Sequence, residues 1–294
     1  MAPVLRDVGL SDLLAGELKM VAGGFQFTEG PLWLPKDESL IFQDLKADRT
    51  YKFDRHGDVS VLREATNAAN GQTFGPAGMI VFCEQNGRRI SMMQADGTGV
   101  CSIAETWEGR RLNSPNDIVC RSDATAYFTD PPYGVAPADR SLHFQGVYAL
   151  KPGHGPRLVI DDFEKPNGLA FSPDEKTLYI CDTWRYHVRA FQVAKTGDVV
   201  VGSGKVFASF DPGKSGGPDG MKVDRAGRVY VAVALGVWVY EADGKLLGIL
   251  ELPERPSNLA WCGPTYSILA ITAVDKVYTI AMKVEGCRPA LVEN

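Results

Sequence analysis

Four short stretches decide the fold of this chain: Glu29-Gly30-Pro31, Pro115-Asn116-Asp117, Pro166-Asn167-Gly168 and Pro218-Asp219-Gly220. Each is a turn before an apolar run that reads as a strand, and each carries one oxygen-bearing side chain: Glu29, Asn116, Asn167 or Asp219. A turn that recurs in this way means that one supersecondary unit recurs, so equivalent side chains occupy equivalent places around a common axis. Four hard oxygen donors directed at one axis make a cation site.

Working outward, the next segment of each unit has its own signature. Ile41-Phe42-Gln43-Asp44, Val81-Phe82-Cys83-Glu84, Tyr127-Phe128-Thr129-Asp130 and Tyr179-Ile180-Cys181-Asp182 each read as two apolar residues, a variable one and an acid. Val233 and Thr272 close the same slot in two further units. The six slot positions are separated by 40, 46, 52, 51 and 39 residues, and three or four short strands fill each interval. Such periods fit the blades of a propeller better than the coils of a solenoid. The expectation is an all-β chain, a six-bladed β-propeller over 25–294. An N-terminal extension over 1–24 precedes it, with a short helix over 10–20 that Ser11 or Asp12 caps and Leu13, Leu14 and Leu18 face.

The bulk properties narrow the function. The formal net charge of −5 is spread over interspersed acids and bases, which excludes a nucleic-acid or membrane surface as the expected partner. No apolar run approaches the ~20 residues needed to span a bilayer, and Met1-Ala2-Pro3-Val4 does not open a secretory signal. The six scattered cysteines, without a Cys-x-x-Cys pair, read as thiols of a cytoplasmic protein.

At this point the sequence resembles the gluconolactonase family, which includes senescence marker protein 30 and has squid-type diisopropylfluorophosphatase and the paraoxonases as distant relatives. The segments that carry the resemblance are 25–33, 111–117, 127–134, 166–174 and 217–221, which run through most of the chain beyond residue 24. The resemblance implies one divalent cation on the axis of a six-bladed propeller, calcium first, with magnesium, manganese or zinc as alternatives. It implies Glu29, Asn116, Asn167 and Asp219 as its ligands, and substrate contacts from the stretch that holds Arg111, Asn113 and Asp117.

Two carboxylates and two amide oxygens suit a hard cation. Such an ion polarises an ester carbonyl and acidifies water, and a neighbouring carboxylate can take the proton. Lactone hydrolysis fits this equipment, with Asp219 as the expected general base and Glu29 as the alternative. The expected substrate is a small sugar-derived lactone, contacted by Arg111, Asn113, Asp117, Glu84 and Tyr133. No Gly-x-Ser-x-Gly elbow supports a serine hydrolase. Two other readings stay open: a phosphotriesterase or arylesterase on the same metal, and a non-catalytic propeller that binds a partner. The slot acids Asp44, Glu84, Asp130 and Asp182 also have a plain reading as caps of turns at strand ends. The long loop over 130–144 reads as a lid, and Trp184 and Tyr133 as the aromatic residues best placed to meet a ligand.

Overall fold

The computed structural model describes residues 4–213 and 216–292. Six antiparallel sheets stand around an axis as a six-bladed propeller, five of four strands and one of five. The first blade runs Thr28–Leu34, Ser39–Asp44, Arg49–Phe53 and Val59–Glu64; the second runs Ala69–Phe74, Ile80–Glu84, Arg89–Met93 and Cys101–Ala104. A two-stranded ribbon, Thr106–Trp107 against Arg110–Arg111, leads into the third blade, Ile118–Cys120, Ala126–Asp130, Gln145–Leu150 and Arg157–Phe163. The fourth blade is Pro166–Phe171, Thr177–Asp182, His187–Val193 and Val199–Ser209, and the fifth is Met221–Val223, Val229–Val233, Gly236–Tyr240 and Leu246–Glu251. Val4–Asp7 pairs with the outer strand of the fifth blade as an extra edge. The sixth blade has Pro256–Cys262, Ile268–Ala273 and Lys276–Ala281, and its outermost strand is Lys19–Gly23, which closes the ring.

Residues 10–20 differ from the helix expected there. Ser11–Leu13 form a single 3₁₀ turn, and the chain is extended again by Leu14, which bridges to Met282. The leucines do bury against the fifth and sixth blades, Leu10 and Leu13 within the cluster of Tyr230, Trp261 and Ile271. Their spacing therefore reported burial rather than helix, because ring closure draws the following residues into a sheet.

The innermost strands show why the turn motif recurs. All residues of Ala69–Phe74, Pro166–Phe171 and Pro256–Cys262 are buried, since each inner strand has a blade on both flanks. The register slips at Glu29/Leu32, Ala69/Gln72, Pro166/Leu169 and Pro256/Asn258, so the same bulge re-aims the side chain at the head of four inner strands. Neighbouring inner strands then come close enough to bond backbone to backbone. Gly71 N–H donates to the Asn116 carbonyl at 2.9 Å, Gly168 N–H to Asp219 at 3.2 Å, and Gly220 N–H to Ser257 at 2.7 Å. This approach requires glycine: a Cβ on Gly168 would lie 2.4 Å from the Asp219 carbonyl oxygen, and one on Gly30, where φ is +46°, would lie 2.0 Å from that of Asn70.

Candidate active site

The ends of the second strands pair with the heads of the first: Thr28 with Asp44, Ala69 with Glu84, Pro166 with Asp182. The slot acids and the axial turns therefore share one face, and the acids grip the turns. Asp44 accepts the N–H groups of Gln26 (2.8 Å) and Phe27 (2.9 Å). Asp130 accepts those of Asn113 and Ser114, both at 2.8 Å. Asp182 accepts those of Glu164 (2.9 Å) and Lys165 (3.1 Å). In each blade the residues held are the third and second before the axial side chain, Glu29, Asn116 or Asn167. Burial pushes the Asp130 carboxyl up to about 7 despite these bonds.

At the head of the axis the side chains face one another. Glu29 accepts Gly30 N–H at 2.8 Å and the Asn258 amide at 3.1 Å. The same amide nitrogen reaches Asp117 at 3.4 Å, and Asp117 also accepts Ile118 N–H at 2.8 Å. Asn258 is oriented from behind, since its oxygen accepts Leu259 N–H at 2.8 Å and faces the Lys222 ammonium at 3.5 Å. Asn167 donates to Thr183 Oγ1 at 3.1 Å and to the Tyr133 hydroxyl at 3.4 Å, and hydrogen-bonds to Asp219. The Arg255 guanidinium lies 3.6 Å from Asp219.

These contacts leave an excess of negative charge. Burial, and next the Asp219 charge, push Glu29 well above the usual carboxylate range. Asp219 is pushed up to about 6 by burial, against the pull of Arg255 and Asn167. Asp117 is raised by burial too, with Lys222 opposing. Among the described residues no three His, Cys, Asp or Glu side chains are gathered closely enough to hold an ion by themselves. An ion on this axis would draw on the amide oxygens as well, and an all-oxygen donor set with surplus negative charge fits a hard divalent cation.

The expected substrate residues divide. Tyr133 and Asp117 belong to the axial group through Asn167 and Asn258. Asn116 is buried on the turn beside Asp117. Asn113 is fully buried and spends its amide nitrogen on the carbonyls of Asp130 and Phe144. Arg111 is exposed on the ribbon and donates to the Gly87 carbonyl at 3.2 Å. Glu84 is fully buried and engaged by Arg89 at 2.8 Å and Asn67 at 2.9 Å. The loop over 130–144 is tied down through Arg88, which donates to the Asp139 carbonyl.

Asn258 and Lys222 were not anticipated from the sequence. Asn258 sits in Pro256-Ser257-Asn258, displaced by one position from the Pro-Asn-Gly pattern, and Lys222 is a lone base inside a strand. A cavity of about 930 Å³ opens at the other end of the channel, where the tails of the inner strands (Trp33, Phe171, Trp261) meet Arg288 and Pro289.

Residues 27–275 match the family described as the SMP-30/gluconolactonase/LRE-like region. This chain belongs to that family. Among its relatives in the SMP-30/gluconolactonase family is the gluconolactonase of Zymomonas mobilis, 28% identical, with 92% of this chain and 82% of that protein covered. The 6-deoxy-6-sulfogluconolactonase of Pseudomonas putida is 27% identical over 83% of this chain and 82% of its own. The solved structure of a gluconolactonase from Xanthomonas campestris is 32% identical, covers 96% of this chain and 95% of its own, and superposes with a TM-score of 0.87. Of the six free cysteines, Cys83, Cys120, Cys181 and Cys262 are buried in the blades, Cys287 is half-buried and Cys101 is exposed. Among the described residues no helix is long and apolar enough to cross a membrane.

Proposed function

We propose that this chain is a lactonase that hydrolyses a small sugar-derived lactone with the help of one divalent cation at the head of the propeller axis. The observation that carries the reading is the convergence of Glu29, Asp117, Asn167, Asp219 and Asn258 from five of the six blades. The gluconolactonase relatives support the reaction class. Glu29, Asn116, Asn167 and Asp219 would hold the ion, calcium first, and Asn167 fits because its amide nitrogen already serves Thr183 and Tyr133, which leaves its oxygen for a cation. When bound, a divalent cation there polarises the lactone carbonyl and acidifies water.

The chain's own groups do the rest. Asp219 takes the proton of the attacking water and returns it to the ring oxygen as the acyl C–O bond breaks. Asp219 is partly exposed, whereas Glu29 is buried and held by Gly30 and Asn258, so Asp219 is the carboxylate that water from the mouth can meet. Burial raises the Asp219 carboxyl, and a bound cation would lower it again, which keeps it ionised and able to accept a proton. The Tyr133 hydroxyl, beside Asn167, is raised by burial and stays protonated, a donor for a substrate hydroxyl. Asn258 and Lys222 keep Glu29 and Asp117 in place.

The test is turnover of a lactone panel after chelation. Activity should vanish on removal of metal and return with added divalent cation. Full turnover by rigorously metal-free protein would end the proposal.

A further inference from the structure

One side of the mouth carries cations that the reaction above leaves unused. Lys165 is half-buried two residues before Asn167, with its ammonium 4.9 Å from the Tyr133 ring and 4.8 Å from the Trp184 ring. Among the described residues no carboxylate pairs with it; its neighbour Glu164 faces Arg185 at 3.6 Å. A lysine that is neither fully solvated nor ion-paired is uncommon, and two ring faces alone satisfy it weakly. One residue sets the lysine and its Trp184 wall: Asp182 accepts the N–H groups of Lys165 (3.1 Å) and of Trp184 (3.2 Å). Trp184 is 60% exposed, a large apolar surface left open beside the charge.

Arg255 completes the arrangement from the next wall. It is 48% exposed, its one carboxylate contact among the described residues is the loose one to Asp219, and its charge also reaches the Tyr133 hydroxyl. Two cations from different blades thus flank the same tyrosine, on the Asn167–Asp219 side of the axis. Hydrogen bonds to a charged group are strong when donor and site are held in advance.

We infer that the substrate carries an ionised oxyanion group, such as a carboxylate, sulfonate or phosphate, on the part of the lactone remote from the reacting carbonyl. Lys165 and Arg255 receive that group, and Trp184 covers the carbon chain leading to it. The inference rests on the lactonase reading and narrows its substrate class.

The experiment compares neutral gluconolactone with glucarolactone and with the sulfonated and phosphorylated gluconolactones, on wild-type protein and on Lys165→Met and Arg255→Met. Methionine keeps the unbranched stem and removes the charge. For the preferred anionic lactone, wild-type KM should be about ten-fold below that of the neutral one, and each substitution should raise it by about ten-fold. In Lys165→Met, KM for the neutral lactone should stay within about two-fold; Arg255→Met also releases Asp219, so it is read only from the ratio of its anionic to its neutral KM, which should rise. The three anions separate the possible head groups. Equal KM values on wild-type protein, or equal losses on both lactones in Lys165→Met, would overturn the inference while leaving the lactonase intact. If none of the lactones is turned over, the lactonase reading itself fails, and calorimetric binding decides the anion site. Glucarate should then bind more tightly than gluconate and lose that advantage in Lys165→Met; no difference between the two acids would refute it.

Discussion

Two sets of buried carboxylates lie at the same end of the blades in this propeller, and they face opposite things. Asp44, Asp130 and Asp182 face backbone N–H groups, each fastening the loop that enters an inner strand. Glu29, Asp117 and Asp219 face one another, with the Asn258 amide, Lys222 and Arg255 as partial relief. The first set is bonded by backbone N–H groups, although burial still raises Asp130; the second sets carboxylates against one another, which destabilises the metal-free fold and creates affinity for a cation. A buried acid's role follows from what it faces, not from how deeply it lies.

Substitutions in the two sets should have opposite signs. Asp219→Asn should lower lactone turnover by about 10²–10⁴ while leaving the melting temperature of the metal-free protein unchanged or higher. A large loss of stability in that variant would erase the distinction. Asp182→Ala should do the reverse to the fold. It strips a partner from the N–H groups of Glu164, Lys165, Trp184 and Arg185, and urea denaturation should show a loss of about 3 kcal/mol. A cost below ~1 kcal/mol would mean that water replaces the carboxylate.

The pH dependence cuts across the two sets, and the cation separates them. A carboxylate whose pKa is raised in the folded state takes up a proton on folding, so its folded form is favoured at low pH and loses ground as pH rises towards the raised value. Asp219, at about 6, and Asp130, at about 7, put this window between roughly pH 4 and 7. Chelated protein should therefore melt several degrees (~3–6 °C) lower at pH 8 than at pH 5. Added divalent cation should raise the melting temperature more at pH 8, because protons compete with it. Melting curves that respond to the cation equally at both pH values would show that Asp219 does not hold it. The smallest effect belongs to Glu84, whose carboxylate is turned to Arg89. Glu84→Gln should cost about 1–2 kcal/mol, with KM changed by less than about two-fold; a rise in KM alone would return Glu84 to the substrate surface.

Much of this was legible in the chain. The six slot residues 44, 84, 130, 182, 233 and 272 all lie in the last two positions of second strands, because a strand's inward face and its terminal turn leave a local signature. Plain capping, the modest reading of the slot acids, describes Asp44, Asp130 and Asp182. What stayed hidden depends on partners far away in sequence. Asn258 meets Glu29 across 229 positions, and no local pattern announces that pairing. Lys19–Gly23 is a strand because Lys276–Ala281 lies beside it, so residues 10–20 could not display their fate by themselves. Arg111 shows a third limit, since the short ribbon that lifts it to the rim is invisible in composition.

The clasp between Lys19–Gly23 and Lys276–Ala281 bears on how the protein is made. Blade six cannot assemble until some 250 residues separating its strands have been synthesised, and Asn258 belongs to that blade. A nascent chain therefore carries Glu29, Asp117 and Asp219 without the amide that holds two of them, and acquires its full ring of donors as its final act of folding.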